Sequence, residues 1–284
     1  MNGKYIERIE IDALWNGHKH IRWDLLPDVN ILSGVNGVGK STILNRVIMH
    51  LLDIDKEVRR NDGVHITFSP PDAKSIDFNV IRSFDRPILS NDLMNKITDV
   101  QLQTELDVHI YHLQRKWLDY QVNLSNRMVE LFTSQDPEAS AKVQELAGEK
   151  AHFQDIVDDL FRETGKTIKR DQNEIYFNSY GETLSAYKLS SGEKQILIIL
   201  LTVLVQNKRP FVLFMDEPEV SLHVEWQQRL LELLLDLNPN VQIILTTHSP
   251  AVIMNGWRDH VTDVEDIEVI ENKKKSFISR LLHF

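Results

Sequence analysis

Cysteine is absent from this chain of 284 residues, which excludes disulfides and any metal site built on thiolates. Long apolar runs are missing as well. Nothing approaches the roughly 18 uncharged apolar residues a membrane span needs, and Ile196 to Val205 and Val241 to Thr246 read instead as a buried helix and a buried strand. The opening MNGKYIERIEI has early charge of both signs and no apolar core, so it is not a secretory leader, and a cytoplasmic protein without membrane insertion is expected. Positive charge is scarce: 32 Lys and Arg stand against 42 Asp and Glu, a formal net charge of −10. That balance argues against indiscriminate nucleic-acid binding over the whole surface, though not against a local basic groove. The one dense basic run, Lys273, Lys274 and Lys275 followed by Arg280, reads more readily as a solvated terminus than as a DNA contact. Neither an internal repeat nor a low-complexity tract is visible. What remains is ordinary for a globular protein, 42% apolar and 26% charged, and long enough for one large domain or a domain carrying an insertion.

Periodicity divides the chain. Tyr5 to Ile11, His20 to Asp24 and Val29 to Leu32 read as strands, the last running into a glycine loop after which a helix begins at Lys40. Pro70, Pro71 and Pro87 mark turns, with short strands at Val64 to Phe68 and Asp77 to Ile81. From Ser90 the character changes. Leu102, Leu106, Ile110, Leu113, Trp117, Tyr120, Leu124, Met128 and Leu131 form one apolar helical stripe, and Val143, Leu146, Phe153, Val157 and Leu160 form another. Asp136 as cap and Pro137 as first helical residue fit the start of the second helix. At roughly 1.5 Å per residue the two would measure roughly 60 Å and roughly 40 Å, an inequality suggesting that the first bends or begins later. We read them as an antiparallel pair inserted into an α/β domain: residues 1–88 an N-terminal lobe, 89–166 the helical insertion, and 167–284 the C-terminal lobe of the same domain. In that last part a hairpin, Ile175 to Asn178 with Thr183 to Tyr187, precedes helix Gln195 to Val205, strand Phe211 to Met215, helix Val224 to Leu237 and strand Gln242 to Thr246.

Several short segments carry chemistry. GVNGVGKST, Gly34 to Thr42, has the spacing of a phosphate-binding loop between strand and helix. Its glycines let backbone N–H groups of Gly34, Asn36, Gly37, Val38 and Gly39 approach phosphate oxygens, Lys40 reaches the outer phosphates, and Ser41 with Thr42 opens the helix. The alternative is a chance glycine turn. FVLFMDEPE delivers Asp216 and Glu217 to the end of an apolar strand, where the first suits Mg²⁺, shared with the Ser41 hydroxyl, and the second suits deprotonation of a water. Asp-Glu-Pro is also plain turn chemistry. LSSGEKQ, with Ser190, Ser191, Gly192 and Glu193, is a small-residue turn opening a helix, equally an anion site and a simple cap with Ser191 as capping residue. TTHSP places His248 after a strand, where it could sense or polarise a γ-phosphate while neutral or charged near pH 7, although a lone histidine is usually structural.

Taken in order, these segments resemble the ABC ATPase superfamily, and within it the non-transporter branch of RecF, SMC and OLD-like proteins, whose usual forms are GxNGxGKS/T, S-S/G-G-E, DEPE-x-x-LH and T-H-S-P. Asn36, Ser190 to Glu193, Asp216 to Glu219 with Leu222 and His223, and Thr247 to Pro250 match. The resemblance implies a P-loop NTPase of ABC type that binds ATP and Mg²⁺ and closes as an ATP-dependent head-to-tail homodimer. Lys40, Ser41, Asp216, Glu217 and His248 would act in one subunit, and Ser190 and Gly192 across the interface. A role in DNA repair or anti-phage defence, with an effector protein or DNA as partner, is implied in the same way. The chain departs from the branch in four respects. No glutamine precedes Gln101, so the glutamine that usually ligands Mg²⁺ and couples ATP to an inserted domain has no obvious counterpart; Val224 stands where proline is frequent; only 34 residues follow Pro250, so no Toprim nuclease domain is expected; and the absence of cysteine excludes a zinc hook. Two other readings stay open: the ATPase subunit of a membrane transporter, and a scaffold held by ATP without hydrolysis. For adenine, Trp15, Trp23 and His18 are aromatic candidates and Lys19 and Arg22 basic ones, although core packing accounts for the tryptophans equally well.

Overall fold

The computed structural model describes residues 1–15, 18–55, 62–82, 102–134 and 136–269. The Pro87 turn, the start of the insertion between 89 and 101, and the basic run at 273–280 lie outside the described residues.

A parallel sheet of five strands forms the centre, in the order β11-β3-β10-β9-β5. These are β3 (Val29–Ser33), β5 (Phe78–Arg82), β9 (Phe211–Asp216), β10 (Val241–Thr246) and β11 (Val261–Asp263). Strands covered on both faces read as unbroken apolar runs, and all six residues of β10 are buried. Alternate residues serve opposite faces. Val212, Phe214 and Ile244 meet α1 (Lys40–Asp55) and the inner side of an antiparallel sheet in one core, whereas Phe211, Leu213, Met215 and Ile243 join the other. The antiparallel sheet runs β2-β1-β4, with β1 (Tyr5–Leu14), β2 (Lys19–Asp24) and β4 (Val64–Ser69). A fully buried glutamine ties the two sheets together. The Gln242 amide accepts from Ile6 N–H at 2.8 Å and donates to the carbonyls of Ile6 and Leu26 at 2.8 and 2.7 Å.

The second core holds α4 (Ser191–Leu204), α5 (Val224–Leu237) and the helical pair, α2 (Glu105–Thr133) and α3 (Ala139–Leu160). Trp117 stacks on Tyr120 and tilts against Phe153, with ring centroids 5.7 and 5.6 Å apart. The pair therefore shares its core with the α/β body. Past Leu124 one face of α2 opens to solvent, with Val129 60% and Phe132 69% exposed, while Met128 and Leu131 still pack on the core.

Several sequence-based boundaries shift. α2 begins at Glu105, after Leu102, because Thr104 and Asp107 form a reciprocal capping box. It has 29 residues, about 43 Å at the helical rise. α3 begins at Ala139, and its cap position is Glu138 without a side-chain bond. Asp136 and Pro137 sit in the preceding turn, where Asp136 accepts from Glu138 N–H at 2.9 Å and Lys142 Nζ at 2.7 Å. The expected hairpin, β7 (Tyr176–Ser179) with β8 (Glu182–Ser185), gains a third strand, β6 (Lys166–Ile168). α4 starts earlier than Gln195, and its cap is Ser190 in place of Ser191, closed by a second capping box with Glu193. The short helix α6 (Pro250–Met254) and edge strand β11 were not anticipated.

Candidate nucleotide site

Register assembles the site. β10 lies between β3 and β9, and Thr246 pairs with Leu32 on one side and Asp216 on the other. The carboxyl ends of three neighbouring strands therefore stop at one level, and their following loops meet in a single crevice, the place where open α/β sheets bind ligands. The crevice is a cleft of about 550 Å³ lined by residues between Asn36 and Thr42 with Glu217 and His248.

Gly34, Gly37 and Gly39 take φ of 141°, 82° and 106°, reachable at no steric cost only by glycine. At Gly39 space is also decisive, since a Cβ would lie 2.3 Å from the Trp15 ring. Trp15 thus sits against the loop, while Trp23 is 2% exposed and belongs to the core. His18 is exposed. Lys19 pairs with Glu268 at 2.6 Å and lies over the Trp15 ring at 5.6 Å, and Arg22 faces Glu10 at 3.6 Å.

Lys40 is 5% exposed, and its ammonium donates to the carbonyls of Gly34 at 2.9 Å and Val35 at 3.2 Å. Burial lowers its pKa, against the opposing pull of Glu217, Asp263 and Asp216. Such a cation, hydrogen-bonded to loop carbonyls and attracted by nearby carboxylates, fits an incoming polyphosphate. Ser41 Oγ donates to Asp216 Oδ1 at 2.8 Å, and Thr246 Oγ1 donates to the same oxygen at 2.5 Å. A hydroxyl and a carboxylate oxygen meeting at one point suit Mg²⁺, which takes one or two protein oxygens and fills the rest of its shell with phosphate and water. Among the described residues no cluster of three or more His, Asp or Glu forms a metal cage of its own.

Glu217 adopts φ 49°, a strained value for a residue with a side chain. Its N–H is anchored to Thr246 O at 3.1 Å and Thr246 Oγ1 at 3.2 Å. Its Oε1 lies 3.3 Å from His248 Nε2. Glu219 stands behind the histidine, 7% exposed. Its Oε1 accepts from Thr247 Oγ1 at 2.6 Å and from His248 N–H at 3.0 Å. Sequence reasoning passed over Thr246 and Glu219 as individual residues; the polar ends of two otherwise apolar segments were the signal available.

The Ser190–Glu193 turn does not contribute to the cleft lining. Ser190 and Ser191 are exposed, but Glu193 is 3% exposed and faces inward. One oxygen accepts from Lys166 Nζ at 2.7 Å and Thr164 Oγ1 at 2.8 Å, the other from Ser190 N–H and Ser190 Oγ, both at 2.9 Å. The next residue, Lys194, donates to Asp107 Oδ1 at 2.7 Å. Consecutive residues of the turn are thus bound to the first turn of α2 and to the chain leaving α3. Gly192 is constrained inside the chain too, because a Cβ would lie 2.4 Å from Ser221 O.

Fold and site together define a P-loop nucleotide-binding domain of ABC type, with the fold seen in an Smc head. A family model described as "AAA domain, putative AbiEii toxin, Type IV TA system" matches residues 66–255, and the chain belongs to that family. It is 31% identical over 119 residues to the retron Ec83 probable ATPase of Escherichia coli, covering 38% of this chain and 21% of that protein. It is 25% identical over 298 aligned positions to the Septu protein PtuA of Bacillus thuringiensis, covering 87% of this chain and 72% of PtuA. The matched region spans about a fifth of the length of the retron relatives. Among solved structures, the Smc head bound to the C-winged helix domain of ScpA superposes with a TM-score of 0.53 at 16% identity, covering 96% of this chain and 99% of that one. Among the described residues no helix is long and apolar enough to cross a membrane.

Proposed function

We propose that the protein binds and hydrolyses ATP between two copies of itself and uses the closing and opening of that dimer to drive an effector in anti-phage defence. The observation that supports the dimer is that the Ser190–Glu193 turn does not line the P-loop cleft. The P-loop, Glu217 and His248 share one open cleft, while the Ser190–Glu193 turn offers exposed serines elsewhere. A second copy placed head to tail would bring that turn over the first copy's cleft. The retron and Septu relatives support the defence setting, and the lobes at 1–88 and 167–284 with the insertion at 89–166 remain our division of the chain.

In this reading Lys40 leaves the Gly34 and Val35 carbonyls for phosphate oxygens, and loop N–H groups hold the remainder. Ser41 and Asp216 would hold Mg²⁺, which when bound neutralises charge developing on the phosphates. Thr246 fixes the Asp216 carboxylate. Glu217 accepts the proton of the attacking water, and His248 orients that carboxylate from 3.3 Å. Glu219 holds the histidine's backbone in place.

Light scattering of Glu217→Gln with and without Mg-ATP tests the proposal. Turnover should fall by about 100-fold or more, the scale of losing a catalytic base, and the mass should double only when Mg-ATP is present. Ser190→Arg added to that variant should abolish the doubling. A monomer in both conditions, or unchanged turnover, would overturn the mechanism.

A further inference from the structure

Away from the nucleotide cleft lies a larger open pocket of about 830 Å³, within the range of small-molecule sites. It lies between the first turns of α2 and the β7–β8 hairpin, and Lys194, directly after the Ser190–Glu193 turn, forms part of its wall. Tyr111, Tyr176 and Tyr187 all face it. Arg115 is stacked on the Tyr111 ring, 4.8 Å from its centroid, and donates to the Tyr111 hydroxyl at 2.5 Å. Lys188 supplies a second cation, and neither Arg115 nor Lys188 has an ion-pair partner among the described residues. Burial, then the neighbouring Glu174, pushes the Tyr187 phenol up to about 12, so it stays a neutral donor at physiological pH.

The lining sorts possible ligands. Asp107 is already engaged, by Lys194 at 2.7 Å and by the N–H groups of Gln103 and Thr104 at 3.0 and 3.1 Å, which leaves little for a bare metal ion. Among the described residues Leu118 is the only aliphatic side chain in the lining, which disfavours an apolar guest. Aromatic faces beside unpaired cations favour a flat ring that carries an anionic group.

We propose that this cavity is a second nucleotide site, the base lying among the tyrosines and the phosphate on Arg115 and Lys188. The nucleotide is either free or the end of a single strand. Through Lys194 its occupancy bears on the Ser190–Glu193 turn, a consequence that rests on the dimer reading above, whereas the binding itself does not.

The test uses full-length Lys40→Ala protein, which disables the P-loop, and calorimetric titration with AMP, GMP, oligothymidylate and ribose 5-phosphate. At least one nucleotide or the oligonucleotide should bind saturably. Ribose 5-phosphate, lacking the base, should bind about tenfold more weakly or worse, and Arg115→Glu and Lys188→Glu should each weaken binding about tenfold, a loss near 1.4 kcal/mol. Both cations are exposed, so neither change threatens the core. Saturation by a mononucleotide identifies a free ligand, and saturation by the oligonucleotide alone identifies a strand end. No saturable binding, equal binding of ribose 5-phosphate, or indifference to both charge reversals overturns the proposal. Because turnover is not read, a protein that failed to hydrolyse ATP would leave this result intact.

Discussion

A methyl group at position 192 would lie 2.4 Å from the carbonyl oxygen of Ser221, closer than two such atoms can approach. The obstacle is backbone, so relief requires the Ser190–Glu193 turn and the loop after β9 to separate. Gly192→Ala should therefore cost about 1–3 kcal/mol, the scale of overpacking a close contact, read as a lower urea midpoint. Gly148→Ala is the internal control. It sits in α3 with nothing within 4 Å of the new Cβ, and should stabilise by about 0.5–1 kcal/mol. At this scale the candidate nucleotide residues were legible because the P-loop packs its chemistry into adjacent positions. Lys40 and Ser41 are neighbours in the chain, as are Asp216 and Glu217, and each pair ends or begins a regular element. Thr246 and Glu219 were not legible. Thr246 reaches Asp216 across a strand pair, and Glu219 reaches His248 across 29 positions, so neither contact leaves a local pattern.

The first turn of α4 is bound by two ion pairs that span long stretches of sequence, one to the first turn of α2 and one to β6 beyond the helical pair. Asp107 meets Lys194 and Lys166 meets Glu193, both at 2.7 Å. No glutamine precedes Gln101, and among the described residues Asp107–Lys194 joins the helical pair directly to this turn, with Lys166–Glu193 holding it to β6. The latter ion pair also carries a pH signature. Burial by itself would raise the Glu193 pKa, but bonds from Lys166, Ser190 and Thr164 outweigh it and hold the carboxyl below its ordinary value. A depressed acid contributes stability that is fully present above its unfolded pKa and is lost as pH falls through the folded one. Lys166→Met should thus cost about 1–3 kcal/mol at neutral pH, the scale of stripping a partner from a buried charged group. The gap between wild type and variant should close as the medium is acidified, and urea midpoints measured at stepped pH would show it. A gap independent of pH would assign the loss to packing.

Across the whole molecule the apolar stripe of α2 and α3 runs without a break into the core beneath β9 and β10. Trp117→Ala should then remove about 3–5 kcal/mol from the whole fold. Far-UV dichroism and hydrogen exchange at β9 and β10 amides should report one shared transition; early melting confined to the helices would mean that the pair is a separate unit. The α/β class, the P-loop, the acidic strand end and the existence of two amphipathic helices were determined by the sequence itself, because each rests on spacing within a short window, where 3.6-residue or two-residue periodicity and a glycine-rich loop are local properties. Only the tertiary structure decided that Trp15 lies on the P-loop, that Glu193 turns inward to Lys166, and that a tyrosine-lined cavity stands apart from the nucleotide cleft. Those contacts join residues far apart in the chain, and their geometry is set by strand register and helix packing, which no short window contains.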